Sequence, residues 1–593
     1  MRFIVNGTIS PKLTEFFKKK ILPFSTIICI ILFSTTIILA TRSPKLARKT
    51  YISEQGLTIR NSKAEYSRQE LQTAFLIQEQ FKSLKNNKEF HDWFFSLLQK
   101  FSDDFFVHKF YANNTWQYNY CGIIRASKSP GIESVVFSSN YFLPLSQKVL
   151  SNDFDGFSIG LAFSLMDFFQ YAKWKSKDII FLFTNGESFK GVQEWLKEYH
   201  NPQEKNNNNF KRAGVIHAGI HLEMNNPIIT EITLKIEGIN GQLPNLDLIN
   251  TITREIPYFP ISLDEFSSET QKSKLNFIFN YLKSKNLQYF TNMIKNQALS
   301  IPTGVHSFFQ SYKIDCVTIQ TNSNPKNPNN LNPTSLIRFI GGIEVVFRDL
   351  SNLIEHLHQS FFYYLLIDPI VYIPIGDYSL SFLFSLLAIV IRMLDFYLNF
   401  GFGSSNHIIF ILFTNVFSHL FGFASYLMAI LFRNSQNWLV FHFGFTFITE
   451  LIIFPIFRWI FLSKNSGKKN GINIWSGQYT YSGIIILSSL TFVAISNISL
   501  ALIFSFFLVP IVLFIRFSQT KKFWNFLQSI FLLIFSPYSF VLLYCFLFQK
   551  NLFSVIDLLV DSHVLFGSLI FPFLIIIWIP ISQTFIRILI QEK

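Results

Sequence analysis

Residues 177–200 read KDIIFLFTNGESFKGVQEWLKEYH, and the order of residue types in that stretch decides the fold. Ile179–Phe183 is an unbroken apolar run, too short for a helix and not alternating, as suits a strand buried on both faces. Asn185-Gly186 is a turn pair, and from Ser188 to Tyr199 the apolar residues recur at helical spacing. Strand, turn and helix make half of a βαβ unit. Working outward, apolar β-branched runs at 119–125, 133–138, 214–222, 231–237 and 315–319 predict further strands. Helical patterns at 68–100, 156–174, 245–255 and 270–298 fall around them, and a final helix is expected at 340–366. The expectation is an α/β domain over 41–366, a mostly parallel sheet flanked by helices. The Asn-rich stretches at 206–209 and 322–333 read as surface loops.

This domain lies between apolar stretches long enough to cross a bilayer as helices, for which about 20 residues suffice. One covers 21–40; the other seven are expected near 378–400, 407–432, 438–462, 480–499, 500–516, 523–548 and 564–588, a seven-helix bundle over 378–590. The first stretch, ILPFSTIICIILFSTTIILA, is followed by basic TRSPKLARK rather than by a small-residue cleavage site, so it reads as an uncleaved signal anchor. Basic residues in 1–20, in the loop near 463–478 and in RFSQTKK at 516–522 place those segments in the cytosol with both termini, and the domain on the opposite, lumenal side. The aromatic run FFYYLLIDPIVYIPI at 361–375 leads to the bundle, with 367–377 expected in the membrane interface.

With 593 residues, 49% of them hydrophobic and 72 of them Phe, the chain is too apolar for an ordinary soluble protein. Its net charge of +14 sits largely in short loops beside the helices, which points to topology and lipid headgroups, not nucleic acid. Cys121 and Cys316 in the lumenal domain could pair in an oxidising compartment, though spacing does not say whether they meet. No CxxC occurs, against a zinc knuckle or thioredoxin motif. Of the sequons at Asn6, Asn113 and Asn497, Asn113 is the candidate for glycosylation.

GxSxG, HExxH, P-loop and GxGxxG motifs are all absent. Polar residues do gather at expected strand ends: Asn152, Asp153 and Asp155; Asn185 and Glu187; His221 and Glu223; then His306 on a loop. Ligands bind at the carboxyl edge of such sheets, so carboxylates and a His converging there could hold a divalent ion; a hydrolytic zinc site needs several N and O ligands and an open position for water. The plain alternative is that Asp and Asn ahead of a helix are N-caps, that Asn-Gly is a turn, and that His306 is a hydrogen-bonded loop residue. In the bundle, Arg392, Asp395, His419, His442 and Glu450 are ionisable groups of the kind that is costly in lipid. Pro572 and Pro580 predict a kinked last span.

KDIIFLFTNGESFKGVQEWLKEYH at 177–200, RAGVIHAGIHLEM at 212–224, EGINGQLPNLDLIN at 237–250 and HLHQSFFYYLL at 356–366 resemble the attachment (Gaa-type) subunit of the glycosylphosphatidylinositol (GPI) transamidase. The resemblance implies a zinc-aminopeptidase-like lumenal fold with an incomplete ligand set. FSSNYF at 137–142 lacks the His-x-Asp, the bridging Asp falls at or near Asn152 with Asp153 adjacent, the Glu pair falls near Asn185 and Gly186, and only Glu223 and His306 match, so the resemblance implies at most one residual divalent ion, zinc, at Asp153, Glu223 and His306. It implies a non-proteolytic subunit, with no catalytic residues of its own, that positions the GPI glycolipid acceptor and scaffolds a complex. The partners implied are a cysteine-protease-like catalytic subunit and precursor proteins with C-terminal GPI signals. Pro572, Pro580 and Glu450 are the residues this picture offers for lipid contact. The alternatives are a membrane-anchored metalloenzyme, distinguished by its ligand count, and a transporter, disfavoured by the absence of an evident repeat.

Overall fold

The computed structural model describes residues 4–590 except 6–7, 10–24, 43–46, 59–61, 113, 128–129, 152, 202–209, 257–258, 264–284, 324–331, 354–356, 358–362, 401–404, 434–436, 449–453, 457–467, 516–521 and 549–550. The chain divides into two compact units. One holds 47–271 and 302–372, the other 1–46, 272–301 and 373–593. The expected helix at 270–298, of which Lys285–Leu299 is described, therefore belongs with the helical unit rather than with the α/β domain expected over 41–366.

The α/β unit is built on an eight-stranded sheet. Its strands along the chain are β1 (Asp104–Ala112), β2 (Thr115–Ile124), β3 (Glu133–Tyr141), β4 (Asp178–Asn185), β5 (Val215–Glu223), β6 (Glu231–Lys235), β7 (Ile261–Ser262) and β8 (Asp315–Asn322). Their spatial order is β7-β6-β8-β5-β3-β4-β2-β1. The centre, β8-β5-β3-β4, is parallel, but β2 joins β4, β1 joins β2, and β6 joins β8 antiparallel, so the sheet is mixed rather than mostly parallel. β4 is the expected two-sided strand, buried from Asp178 to Asn185. Helices Asn87–Phe101, Phe157–Tyr171 and Pro333–Asn352 cover one face through Phe94, Phe163 and Phe347. Lys190–His200 and the short helix His306–Gln310 meet through Trp195 and Phe309, with Phe189 against Phe308.

Three expectations change here. The 68–100 helix is two, Arg68–Ser83 and Asn87–Phe101, parted at Leu84–Asn86. The last helix ends at Asn352, and Tyr364–Asp368 and Val371–Pro374 are strands of a small sheet with Arg48–Lys49. Tyr364, Leu365, Leu366, Ile367 and Tyr372 are buried, whereas Tyr363 is exposed. Cys121 and Cys316 are buried and free. They sit on β2 and β8, four strand spacings apart in the sheet order, hence ~19 Å at about 4.8 Å each, beyond disulfide reach.

In the helical unit, Ile375–Leu398, Ile408–Leu431, Ser476–Ser496 and Ile570–Arg587 are long and apolar enough to cross a membrane, and Ile498–Phe514 is a shorter apolar helix. The uncertain boundary between the fifth and sixth expected spans falls at Asn497, whose side chain caps Ile498–Phe514 by accepting from Leu500 N at 3.0 Å. The single span expected at 523–548 is broken into Lys522–Ile534 and Pro537–Phe548, where Pro537 opens a new helix and Ser536 caps it. Leu552–Phe566 is a further helix, lying largely between the spans expected at 523–548 and 564–588; it ends on left-handed Gly567 (φ 71°). The last span then begins at Ile570 and carries a π-helical turn, Phe573–Trp578, between Pro572 and Pro580.

Candidate functional site

The carboxyl edge of the central strands holds the polar residues nominated from sequence, and the structure spends most of their donors and acceptors internally. Register partners share a face of a sheet, so Ser138 (β3), His221 (β5), Thr318 (β8) and Lys235 (β6) form one row across four adjacent strands. His221 Nδ1 lies 3.1 Å from Ser138 Oγ. His306, fully buried, is held at both nitrogens: Nε2 donates to Glu237 O at 3.1 Å and Nδ1 accepts from Thr318 Oγ1 at 2.9 Å. Burial pushes both imidazoles down to about 3, assisted by the nearby Lys235 ammonium, so both are neutral at physiological pH. Glu223 accepts from Lys235 Nζ at 2.8 Å, and its other oxygen lies 3.9 Å from His221 Nε2.

The remaining nominees are caps and turns. Asp155 accepts from Phe157 N at 2.9 Å at the start of Phe157–Tyr171, and burial raises its carboxyl above the usual range. Asn185 Oδ1 accepts from Glu187 N at 3.1 Å. Asp153 is exposed and bonded to Ser151 Oγ at 2.7 Å. Asn152, Asn113 and Glu450 lie outside the described residues. The zinc-aminopeptidase resemblance implies a metal at Asp153, Glu223 and His306, but these residues do not fit one: His306 has no free nitrogen and Glu223 already carries a cation. Among the described residues no cluster of three or more His, Cys, Asp or Glu could hold an ion. A groove of about 810 Å³ on the α/β unit is lined by Glu65, Glu70, Asp167 and Trp174 among others, and by none of the nominees.

EGINGQLPNLDLIN turns out to be structural joinery. Asn240 (φ 56°) and Gly241 (φ 70°) make the left-handed turn that Gly tolerates best. Asn245 caps Leu246–Glu255 by accepting from Asp247 N at 2.8 Å, and its own amide N donates to Asp315 Oδ1 at 2.8 Å. Fully buried Asp247 accepts from Ser53 N, from Ser53 Oγ at 2.6 Å and from Glu54 N at 3.2 Å. Asn250 donates to Tyr51 O and Arg254 to Thr50 O, both at 2.8 Å. The motif thus clasps segment 50–54 against the helix. The clue in the sequence was the pairing of capping Asn with an Asp two residues on, inside an apolar run.

In the helical unit the two prolines act on the backbone. Pro580 has no N–H for the carbonyl four residues back, and His419 Nδ1 donates to that carbonyl, Ile576 O, at 2.7 Å. Gly422, one turn along the same helix, lets it approach closely, since a Cβ there would meet Ile575 O at 2.6 Å. Asn415 Oδ1 accepts from Thr584 Oγ1 at 3.0 Å, and buried Gln478, Ser482 and Ser582 carry side-chain atoms with no partner among the described residues. Arg392 is buried and paired with Asp395 at 3.2 Å, which also accepts from Ser25 Oγ at 2.6 Å. His442 Nε2 contacts Tyr538 OH at 3.1 Å.

The family model described as Gaa1-like, GPI transamidase component matches residues 117–586, most of the chain. The chain belongs to this Gaa1-like family. Among curated relatives, a GPI transamidase component gaa1 of Schizosaccharomyces pombe is 32% identical over 279 residues, 45% of this chain and 44% of the relative. The GPI transamidase component GAA1 of Saccharomyces cerevisiae is 28% identical over 365 residues, 59% and 54% respectively. The matched region thus spans about half the length of these Gaa1 relatives. Among solved structures, the Legionella pneumophila LapA aminopeptidase is similar at 11% identity and TM-score 0.31, covering 52% of this chain and 82% of that one. The Porphyromonas gingivalis glutaminyl cyclase is similar at 13% identity and TM-score 0.28, covering 49% and 99%.

Proposed function

We propose that this Gaa1-family chain is a non-proteolytic subunit of a GPI transamidase in the endoplasmic reticulum membrane, with its α/β unit in the lumen, both termini in the cytosol, and a bundle that positions the glycolipid acceptor. The observation that carries the reading is the family match over 117–586. The geometry supports the division of labour. At the sheet edge His306 and Glu223 are engaged by the chain's own groups, so among the described residues an attacking water would find no metal ligand set there. The chemistry then falls to a partner, a cysteine-protease-like subunit that forms an acyl intermediate with the precursor's new C-terminus. Holding the lipid's amine beside that intermediate is the contribution, and orientation of this kind lowers a barrier by several kcal/mol, roughly 7–11 at the limit.

Within the bundle, the segment around Pro572 and Pro580, packed inside the helical unit, supports a role in holding the glycolipid. A π turn is a local widening often found at functional positions, and the buried amide of Gln478 offers both donor and acceptor to a polar headgroup. The test is co-purification of the intact complex with a photoactivatable glycolipid. Label on the peptides containing residues 570–590 supports the reading; label confined to other subunits overturns it.

A further inference from the structure

The misfit at the sheet edge has a second side: the cation is already present, and it is covalently attached. The row Ser138–His221–Thr318–Lys235 ends on an ammonium, and that ammonium is 2.8 Å from Glu223, with the two side chains 18% and 21% exposed. Beneath the pair, His221 is completely buried. Its Nδ1 is engaged by Ser138 Oγ, while its Nε2, 3.9 Å from the second Glu223 oxygen, has no hydrogen-bond partner among the described residues. An imidazole pinned at one nitrogen and free at the other, beside a carboxylate, is the arrangement metal-binding histidines show. Imidazole nitrogen and carboxylate oxygen are both zinc ligands.

We propose that Lys235 is a tethered cation that occupies this position in place of a metal ion, and that the edge becomes a divalent-cation site, through Glu223 and His221 Nε2, once the ammonium is removed. The charge argument runs in both directions. A carboxylate four-fifths buried needs a positive partner, which Lys235 supplies without a metal; with Lys235 present, a divalent ion would meet a like charge within about 3 Å of its anchoring carboxylate. Asp153 and His306, nominated earlier, are not needed. The proposal is independent of the glycolipid reading.

The test uses the full chain purified in detergent, with thermal unfolding and bound-metal analysis as readouts. Wild type is expected to retain no Glu223-dependent zinc and to show no zinc-dependent shift in Tm. Lys235→Ala is expected to unfold several degrees lower and to regain that loss in micromolar Zn2+. Lys235→Ala/Glu223→Gln is expected to be more stable than Lys235→Ala and indifferent to zinc. Should Lys235→Ala not fold alone, recovery by zinc during purification or by the added Glu223→Gln keeps the idea testable. Zinc held by wild type and lost in Glu223→Gln, or a Lys235→Ala protein rescued by neither zinc nor Glu223→Gln, would overturn it.

Discussion

The sheet edge of the α/β unit and the proline-flanked last helix of the bundle were both nominated from sequence, and they turn out as opposites. The edge is rich in charged residues, yet its carboxylate is paired and His306 is bonded at both nitrogens. The last helix has few charges, yet Pro580 frees a backbone carbonyl, a π turn interrupts the ladder, and a buried glutamine on a neighbouring helix has no partner among the described residues. The lesson is that residue type marks where polar groups are, whereas function depends on which remain unspent after folding. Counting ligands would favour the edge; counting unspent atoms favours the bundle.

The largest effect is expected where the closed region is clasped. Asp247→Ala leaves Ser53 N, Ser53 Oγ and Glu54 N, all part-buried, without their acceptor, and the α/β unit should lose about 2–3 kcal/mol, less than three fully buried orphans would cost. Chemical unfolding of the purified protein checks this. Loss of GPI attachment in cells should follow the loss of folded protein; a stable Asp247→Ala protein with normal unfolding would show that the clasp is decorative.

Next in size is the acid response of the edge. His221 and His306 sit at about 3 in the folded chain because burial disfavours their charged forms, against about 6.5 unfolded. A depressed folded pKa contributes stability that is complete above the unfolded value. That stability is lost as pH falls from about 6.5 towards about 3, because the unfolded chain takes up protons the native one refuses. Stability of the α/β unit should therefore fall steeply below neutrality. His306→Gln should be less stable at neutral pH, by ~1–3 kcal/mol for an orphaned Thr318 or Glu237 group, but with a shallower acid limb. An unchanged acid limb would mean that His306 is not buried neutral.

How much of this was legible beforehand differs by region for physical reasons. The strand at 178–185 was clear because a two-sided strand must be apolar throughout. The antiparallel strand Asp104–Ala112 was missed because DFFVHKFYA puts a polar His108 on the buried face and apolar Val107 and Tyr111 on the other, so its residue types do not alternate although its burial does. The break at Ser536-Pro537 and the extra helix Leu552–Phe566 were hidden by uniform apolarity, in which a long span and two short helices look alike. At the edge, Glu223 and His306 were legible as polar residues near strand ends, but Lys235, the residue that pairs with Glu223, lies on an expected strand whose place in the sheet is not given by sequence spacing.

A moderate effect is expected at the join between Lys285–Leu299 and Ile498–Phe514. Asn497 Nδ2 donates to Gln297 O at 2.7 Å and Ser499 Oγ donates to Gln297 Oε1. The sequon N-I-S is thus spent on packing, and Asn497 is only 6% exposed. Asn497→Ala should cost about 1–2 kcal/mol, a cap and a buried bond together, and glycosidase treatment should produce no mobility change attributable to this position. A glycan found at Asn497 would show that this join opens, and would move the segment 285–299 out of the bundle.

The smallest effect is also the sharpest for the open region. If His419 exists to satisfy the carbonyl that Pro580 leaves free, the two substitutions must be coupled. His419→Ala in the wild-type background removes a buried hydrogen bond and should cost about 1 kcal/mol. With Pro580→Ala the backbone N–H returns and can serve Ile576 O itself, so His419→Ala should then cost little, and the double-mutant cycle should give a coupling of ~0.5–1 kcal/mol. Additivity would mean that His419 is simply packed there. Coupling in stability accompanied by reduced glycolipid labelling in Pro580→Ala alone would tie the π turn to the ligand, because that substitution restores a backbone N–H while leaving every polar side chain of the bundle in place.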